Sequence, residues 1–425
     1  MKGSTVTSTA GSDKYKGAAG IGAGSFANCG PIEISDSTVV ATGKHTGAGI
    51  GSGGIDTRML EVYDVSEGIA NIIKTAGIKT STISIADSNV TAHGGSHGGA
   101  GIGGARNGSV DGDITIADSV VDAKGGGDGA GIGASRRETA VTGSLYMDHT
   151  IAISGASQVT ATGGDRSAGI GGFFGAAVRA IDISLATIQD PEVPSNHGFT
   201  NFVKATGGKG AAGIGSGAAT EGAVQPGSVS VTVSGGYVYA KGGGSGAGAA
   251  GAGPGIGVGA ARSGKSHSDR INGFTVIGGY VEAVAGGSGA DDIGCGVGTE
   301  NKGTGVWNVT GGTILADTWN VDTPIIDGGS ISAQLTGAKN SADERVYQTT
   351  LKAIAPNVPV DPDGIATVAR YGTNDMYSHF DSSRVWPYLP ASDVGAQHVT
   401  LYYSRFGDGI PESEYFWGTT KTDGS

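Results

Sequence analysis

One short segment, Gly-Ile-Gly, recurs along this chain of 425 residues and limits what the chain can fold into. Its isoleucines are Ile21, Ile50, Ile102, Ile132, Ile170, Ile214 and Ile256, and a degenerate copy is centred on Ile293. Successive copies are 29 to 52 residues apart, so the basic unit is about 30 residues long and the longer gaps contain insertions. Self-similarity at such a period is typical of a solenoid, whose units bury their apolar faces against one another.

Two further apolar segments lie between successive copies. One is a pair of apolar residues spaced two apart, as in Ile114 and Ile116, and the other reads Val-x-Ala, as in Val121 and Ala123. Alternation with a period of two indicates β-strands and directs every second side chain to one face. Because the same three strands recur in the same order, equivalent strands must stack in parallel, and right-handed crossovers are expected.

The sequence therefore predicts an all-β fold, a right-handed parallel β-helix of about eight three-strand coils with a small C-terminal β cap. We assign the repeat domain to 1–330, with insertions at 55–80, 186–201 and 244–254, and the cap to 331–425. Helical spacing in the first insertion predicts a short amphipathic helix over 59–75. The aromatic residues of the tail fit the core of a cap that ends the strand ladder, or alternatively a platform on which sugars stack.

Glycines on either side of each recurring isoleucine form two columns along the predicted stack. Since the isoleucine between them points inward, these glycines are expected to face outward. Glycine at such positions indicates a positive φ or something packed close to the backbone. A bare glycine strip would be a flat floor for a sugar ring, a second protomer or an inserted loop. A homo-oligomer through this Gly face is therefore one expectation.

Charge and residue usage exclude several classes of protein. The formal net charge is −12, with 39 acidic and 27 basic residues, so the basic footprint of a nucleic-acid-binding protein is absent. No run of 18 apolar residues exists, and no membrane-spanning helix is predicted. Cys29 and Cys295 are predicted to lie more than about 30 Å apart, beyond the reach of a disulfide. His93 and His97 share one solvated turn, and no metal or cofactor is expected.

Two stretches of the chain resemble a known family. They read Val-Thr-Ala-His-Gly-Gly-Ser-His-Gly-Gly-Ala-Gly-Ile-Gly at 90–103 and Val-Ser-Gly-Gly-Tyr-Val-Tyr-Ala-Lys-Gly-Gly at 233–243. They look like the Gly-Ala-Gly-Ile-Gly repeats of large secreted or cell-wall-anchored proteins of Gram-positive, often gut-dwelling, bacteria. The tail resembles, at 370–377 and 385–390, the segment that follows such arrays. The resemblance implies a secreted or cell-surface location and neighbouring adhesion or carbohydrate-handling modules. No signal peptide is recognisable at the N-terminus, so export is expected from the resemblance alone.

The expected fold is also similar to that of pectate lyases and of β-helical glycoside hydrolases and fructotransferases. This second likeness concerns the fold alone, and a fold does not by itself imply a function. None of the catalytic motifs of those enzymes is found at matching positions of this sequence.

The repeat is broken most clearly where Asp291 and Asp292 stand in place of the Ala (Pro254 in the seventh copy) and the Gly that precede the other isoleucines. The predicted catalytic residues are Asp291, Asp292, Glu282 and Asp317, and the predicted substrate-binding residues are Trp307, Trp319 and Tyr239. Glycoside hydrolysis needs a carboxylic acid and a carboxylate about 5–9.5 Å apart. Neighbouring residues of a strand point to opposite faces. Asp292 is therefore expected to face outward beside Gly294, with Glu282 or Asp317 as its partner.

Other interpretations of these acids stay open. In one of them, the repeat simply loses its sequence pattern at the terminal coil, where carboxylates are tolerated because they face water. The same carboxylates are also compatible with a calcium site. Two functions are therefore predicted. The first is a noncatalytic extracellular module that binds glycans or spaces other domains. The alternative is a carbohydrate-active enzyme, a glycoside hydrolase, fructotransferase or polysaccharide lyase, that uses carboxylates near the last coils.

Overall fold

The structure is a computed structural model that describes most of the repeat region and parts of the tail. The described residues are 1–11, 17–25, 27–56, 78–136, 147–173, 178–187, 196, 199–219, 228–246, 251–261, 270–299, 306–320, 324–335, 337–353, 366–371, 374–377, 388–390, 396–403 and 413–421. The helix predicted over 59–75 lies outside them, and so do parts of the insertions at 186–201 and 244–254.

Three parallel sheets run the length of the solenoid, and each coil adds one strand to each sheet. Sheet 1 contains the apolar-pair strands β3 (Ile32–Ser35), β7 (Ile83–Ala86), β11 (Ile114–Ala117), β14 (Met147–Gly155), β17 (Val178–Leu185), β20 (Ser228–Gly235), β23 (Arg270–Val276), β26 (Val306–Val309) and β28 (Ile325–Ile326). Sheet 2 contains the Val-x-Ala strands β1 (Thr5–Thr9), β4 (Thr38–Thr42), β8 (Asn89–His93), β12 (Val120–Lys124), β15 (Gln158–Thr162), β18 (Phe202–Thr206), β21 (Tyr237–Lys241), β24 (Tyr280–Val284), β27 (Thr313–Leu315) and β29 (Ser330–Ile331). Sheet 3 contains the Gly-Ile-Gly strands β2 (Ile21–Gly22), β5 (Ile50–Gly51), β9 (Ile102–Gly103), β13 (Ile132–Gly133), β16 (Ile170–Gly171), β19 (Ile214–Gly215), β22 (Ile256–Val258) and β25 (Ile293–Cys295).

The predicted fold class is confirmed: the chain forms a right-handed parallel β-helix. We number the coils from the sheet 3 strands and count the two residues before each isoleucine with its coil, so that Ile21 lies in coil one and Ile293 in coil eight. Equivalent residues of successive coils pair in register, as in Ile114 with Ile151 and Ile151 with Ile181. Within the described part of the chain, no helix is long and apolar enough to cross a membrane.

Two smaller sheets accompany the solenoid. The strands β6 (Ile78–Thr80) and β10 (Gly108–Val110) pair in parallel. A six-stranded antiparallel sheet follows the last coil, with strands β30 (Val346–Ala353), β31 (Ala366–Tyr371), β32 (Asn374–Tyr377), β33 (Tyr388–Pro390), β34 (Ala396–Tyr403) and β35 (Ser413–Lys421). The Gln348 side-chain amide donates to the carbonyls of Ile331 and Ser332, at 2.8 and 2.9 Å, so this sheet is bonded to the end of sheet 2. The domain boundary at residue 330 stays a prediction.

The core is a narrow column of branched aliphatic side chains. In coil four, Ile132, Ile151, Ile153, Val159 and Ala161 are each 0% exposed. Each of these side chains lies on the equivalent residue of the coils before and after it, because the strands are in register. Burial of apolar area stabilises a fold by roughly 25 cal/mol per Å², so the ladders are its main source of stability. Both cysteines are free, Cys295 buried and Cys29 partly buried, as the sequence predicts.

Serine hydroxyls continue the stacking through the turn between sheets 1 and 2. In coils one to three, the serine N–H donates to the serine Oγ of the next coil, from Ser37 to Ser88, from Ser88 to Ser119 and from Ser119 to Ser157, at 3.0 to 3.3 Å. The hydroxyl of Ser119 also donates to the carbonyl of Ala117 at 2.6 Å. The Asp-Ser turns of the sequence therefore form a second ladder, made of hydrogen bonds.

The glycine columns are buried from coil two onward, and the prediction of an outward Gly floor is wrong. A Cβ on Gly131 would lie 2.6 Å from the carbonyl oxygen of Gly169 and 2.7 Å from the backbone nitrogen of Thr162. The second column has φ between +127° and +146° from Gly22 to Gly294, which L side chains rarely adopt. Neighbouring backbone therefore occupies the space that the floor would have offered. A homo-oligomer through this face stays a prediction.

The inward and outward positions differ in what they tolerate. Ile132→Asp places an unpaired carboxylate in a ladder that is packed on both sides and should lower the free energy of unfolding by about 3 kcal/mol or more. Thr160→Asp, at an exposed position of the neighbouring sheet 2 strand, should leave it almost unchanged. Urea unfolding followed by circular dichroism measures both. Equal losses would show that the inward and outward register is wrong.

The glycine columns make a separate prediction. Gly133→Ala forces a side chain into a positive φ of 127° and onto the carbonyl oxygen of Gly171. We expect it to lower the free energy of unfolding by at least about 2 kcal/mol. Gly30→Ala is the matched control, because Gly30 is exposed and a Cβ there meets nothing within 4 Å. Comparable thermal unfolding of the two variants would contradict close backbone packing at the column.

Candidate functional site

Coil eight contains three of the four predicted carboxylates, Asp291, Asp292 and Asp317, and its strand β25 ends sheet 3. In coil seven, a Cβ on Gly255 would lie 2.6 Å from the backbone nitrogen of Val284 and 2.8 Å from the carbonyl oxygen of Asp292. No further Gly-Ile-Gly strand follows β25 in the described chain. The corresponding position in coil eight therefore has room for a side chain, and Asp292 occupies it.

The Asp292 carboxylate is a buried acceptor of backbone hydrogen bonds. Asp292 is 8% exposed. One oxygen accepts the N–H of Ala285 at 2.6 Å, and the other accepts those of Asp317 and Thr318 at 2.7 and 3.0 Å. Hydrogen bonds to an ionised acceptor are about twice as strong as neutral ones. Asp292 thus supplies an acceptor to backbone N–H groups that have no partner from a further coil. The prediction that Asp292 faces outward is wrong.

Asp291 adds a second hydrogen bond to the loop around the Gly-Ile-Gly strand. In the equivalent loops of coils one to six, an alanine at this position closes the loop with one backbone hydrogen bond. In coil four, the N–H of Ala130 donates to the carbonyl of Ala134 at 3.2 Å. In coil eight, the N–H of Asp291 donates to the carbonyl of Cys295 at 2.9 Å, and its carboxylate accepts the Cys295 N–H at 2.9 Å. Asp291 and Asp292 therefore bind the chain's own backbone. Their catalytic role stays a prediction that this geometry does not favour.

The remaining predicted acids do not form a metal site. Asp317 is exposed, but the contact that brings it to Asp292 is made by its backbone N–H. No group of three or more His, Cys, Asp or Glu within the described residues is arranged to hold a metal ion. A calcium site made by these carboxylates therefore lacks support in that part of the chain.

The two predicted tryptophans belong to the end of the core. Trp307 is 4% exposed and lies 5.8 Å from Phe274 between ring centroids. Trp319 is partly buried and packs edge-on against Phe274 at 5.7 Å and against Trp307 at 6.3 Å. Aromatic rings in such tilted contacts fill the last coil. Trp307 is buried, which argues against its predicted role in binding sugar, and the same role for the partly buried Trp319 stays a prediction.

Sheet 2 brings the other two predicted residues together on its outer face. Tyr239 of coil six is the register partner of Glu282 in coil seven, and on its other side it pairs with Lys204 of coil five. All three side chains are partly exposed. Adjacent strands are about 4.8 Å apart, so a lysine, a tyrosine and a glutamate occupy neighbouring positions on this face. We call these three residues the Lys-Tyr-Glu row.

A buried aromatic cluster lies beside the row. Phe199, Tyr237 and Tyr280 are 0%, 5% and 4% exposed, with ring centroids 6.0 to 6.3 Å apart. The Tyr237 hydroxyl donates to Glu282 Oε2 at 2.8 Å. Burial, and then the charge of Glu282, raise the pKa of Tyr237 far above its ordinary range. The phenol therefore stays protonated at neutral pH and fixes the orientation of the carboxylate.

Other residues contact or adjoin the two ends of the Lys-Tyr-Glu row. The Lys204 ammonium lies 5.0 Å from the centroid of the Phe202 ring, a cation–π contact. Leu315 of coil eight pairs with Glu282 on the far side. Burial, followed by Glu282, raises the pKa of Tyr239, so its phenol is also a donor at neutral pH. The ring of Tyr239 is the central element of the row.

Sequence reasoning identified Tyr239 and Glu282 but missed Lys204, Tyr237, Tyr280 and Phe199. One signal was available, because aromatic residues occupy the first outward position of the Val-x-Ala strands in coils five to seven. The corresponding positions of coils two to four are Asn, Val and Gln. Phe199 comes from the insertion at 186–201, and no periodicity places it.

Comparison with known proteins supports the fold. A family model described as a beta helix repeat matches residues 32–54, 83–106, 114–136 and 151–176, which lie in coils one to five. No curated protein and no solved structure matches the chain. The resemblance to Gly-Ala-Gly-Ile-Gly repeat proteins of Gram-positive bacteria stays a prediction.

The contacts of Asp292 make a prediction about stability. Asp292→Ala leaves three backbone N–H groups without an acceptor, and each unsatisfied group costs about 1–3 kcal/mol. We expect a lower melting temperature and faster amide hydrogen exchange in coil eight. Asp317→Ala removes an exposed carboxylate and should change neither measurement. An Asp292→Ala variant as stable as the parent protein would contradict the capping role.

Proposed function

We propose that this chain is a noncatalytic extracellular module that binds polysaccharide through the Lys-Tyr-Glu row. The observation behind the proposal is one partly exposed tyrosine, Tyr239, whose register partners on the two adjacent strands of a parallel sheet are Lys204 and Glu282. The secreted or cell-surface location belongs to the proposal and comes from the resemblance of the repeats to those of exported bacterial proteins.

The chemistry of the row suits a sugar. An aromatic ring offers a large apolar face with a polar tip, and a pyranose ring has an apolar face of its own. Lys204 supplies hydrogen-bond donors and Glu282 supplies acceptors for sugar hydroxyls, while the Tyr239 hydroxyl can do either. Residues on packed strands lose little freedom when a ligand binds, so the surface is preorganised. The sheet continues on both sides of the row, which suits an extended polymer.

The arrangement of carboxylates favours binding over hydrolysis. A glycosidase needs two carboxyl groups, one on each side of the bond that it cleaves. Glu282 has Tyr239 and Leu315 as its register partners, so neither adjacent coil places a second acid beside it. Asp291 and Asp292 accept hydrogen bonds from backbone N–H groups of coils seven and eight. The row therefore offers recognition groups without an acid–base pair.

Substitution of the central ring tests the proposal. We expect Tyr239→Ala to weaken binding to the preferred polysaccharide at least about tenfold, since loss of a central aromatic contact costs about 1.4 kcal/mol or more. Affinity gel electrophoresis on a panel of fructans, glucans, arabinans and galacturonans identifies the polymer, and calorimetry measures the affinity. Thr160→Ala is the matched control, because Thr160 is exposed and pairs with Lys204 in the same outward column.

Three outcomes contradict the proposal. Binding to no polymer of the panel shows that the module does not bind polysaccharide. Equal loss in Tyr239→Ala and Thr160→Ala shows that the row is not the site. If the parent protein releases reducing ends or unsaturated products and Glu282→Gln does not, the chain is an enzyme. That is the alternative function predicted from the sequence.

A further inference from the structure

Two lysines occupy outward positions next to Tyr239 in sheet 2, and neither has an ion-pair partner among the described residues. They are Lys204 and Lys241. Two other lysines of the solenoid are paired, Lys79 with Asp111 at 3.0 Å and Lys209 with Asp165 at 3.1 Å. The whole chain has a formal net charge of −12. Lys204 and Lys241 therefore place two ammonium groups, neither in an ion pair with a described residue, beside one partly exposed tyrosine of an acidic protein.

The register places both ammonium groups within reach of a ligand on the ring. Lys204 pairs with Tyr239 across one strand spacing, about 4.8 Å. Lys241 lies two residues further along β21, on the same face and about 7 Å away. Lysine side chains are long and flexible, so both amines can converge on one anionic group beside the tyrosine.

The negative charge of Glu282 lies on the opposite side of the ring. Its carboxylate accepts the Tyr237 hydroxyl at 2.8 Å, which holds it in coil seven. The row is therefore polar along the solenoid axis, positive at coil five and negative at coil seven. A sugar with one anionic substituent would place that substituent over the lysines and its hydroxyls toward Glu282.

We infer that the ligand of the Lys-Tyr-Glu row is an anionic polysaccharide, with a carboxylate or sulfate group that contacts Lys204 and Lys241 while its ring stacks on Tyr239. This inference rests on the proposed function and specifies the class of ligand. Carboxylate and sulfate share the chemistry that the lysines recognise, and the experiment separates them.

The test compares polymers that differ in charge. Polygalacturonate is compared with its carboxyl-reduced product, and dextran sulfate with dextran, by calorimetry at low and high NaCl. We expect one charged polymer to bind at least about tenfold more tightly than its neutral counterpart and to weaken as salt rises, because exposed charges are screened. Preference for polygalacturonate assigns a carboxylate, and preference for dextran sulfate assigns a sulfate.

Charge-removing variants locate the effect. Lys204→Gln and Lys241→Gln should each weaken binding of the charged polymer about threefold to tenfold and leave binding of the neutral one unchanged. Lys124→Gln is the matched control, because Lys124 is exposed in the column of Lys241, three coils and about 14 Å away. An equal loss in the control shows diffuse charge attraction and overturns the inference.

The outcomes also separate this inference from the proposed function. Equal, salt-independent binding of charged and neutral polymers, weakened by Tyr239→Ala, overturns the inference and leaves polysaccharide binding intact. Preferred binding of a neutral fructan, glucan or arabinan has the same meaning. Failure of every charged and neutral polymer to bind overturns both.

Discussion

Direct contact between backbones is the constraint on which this fold depends. Each Gly-Ile-Gly strand lies so close to the end of a sheet 2 strand, and to the next coil, that a single Cβ on Gly131 would overlap both. The cross-section is therefore narrow, and one isoleucine per strand is enough to fill it. The chain repeats glycine on both sides of that isoleucine because no other residue fits the space or the positive φ.

A stack held together in this way has to be ended, and coil eight shows how. Where no further strand follows, backbone N–H groups lose their partners, and buried donors without acceptors are costly. Asp292 accepts three of them, and the side-chain amide of Gln348 donates to carbonyls at the end of sheet 2. A pair of acids at the break of a repeat resembles a catalytic site in sequence, yet the same residues satisfy the demands of a terminal coil.

Positions that stacking leaves free include the outward ones of sheet 2. Their register is fixed by the inward residues, so an outward side chain can vary from coil to coil without disturbing the ladder. Lys204, Tyr239 and Glu282 lie at one such position in three consecutive coils. The same register that makes the scaffold repetitive therefore aligns three different chemical groups at about 4.8 Å intervals, which is the basis of the polysaccharide-binding proposal.

The sequence alone determined the three strands of each coil, their parallel stacking and the inward columns, because periodicity of apolar residues is a local property that every coil repeats. It also placed Tyr239 and Glu282 on neighbouring strands. Only the tertiary structure decided where the glycines face, since that depends on the distance to backbone from another coil. It alone showed that Asp292 is buried, because its donors come from residues 285, 317 and 318. It alone joined Phe199 to Tyr237 and Tyr280, since contacts between distant segments leave no period in the sequence.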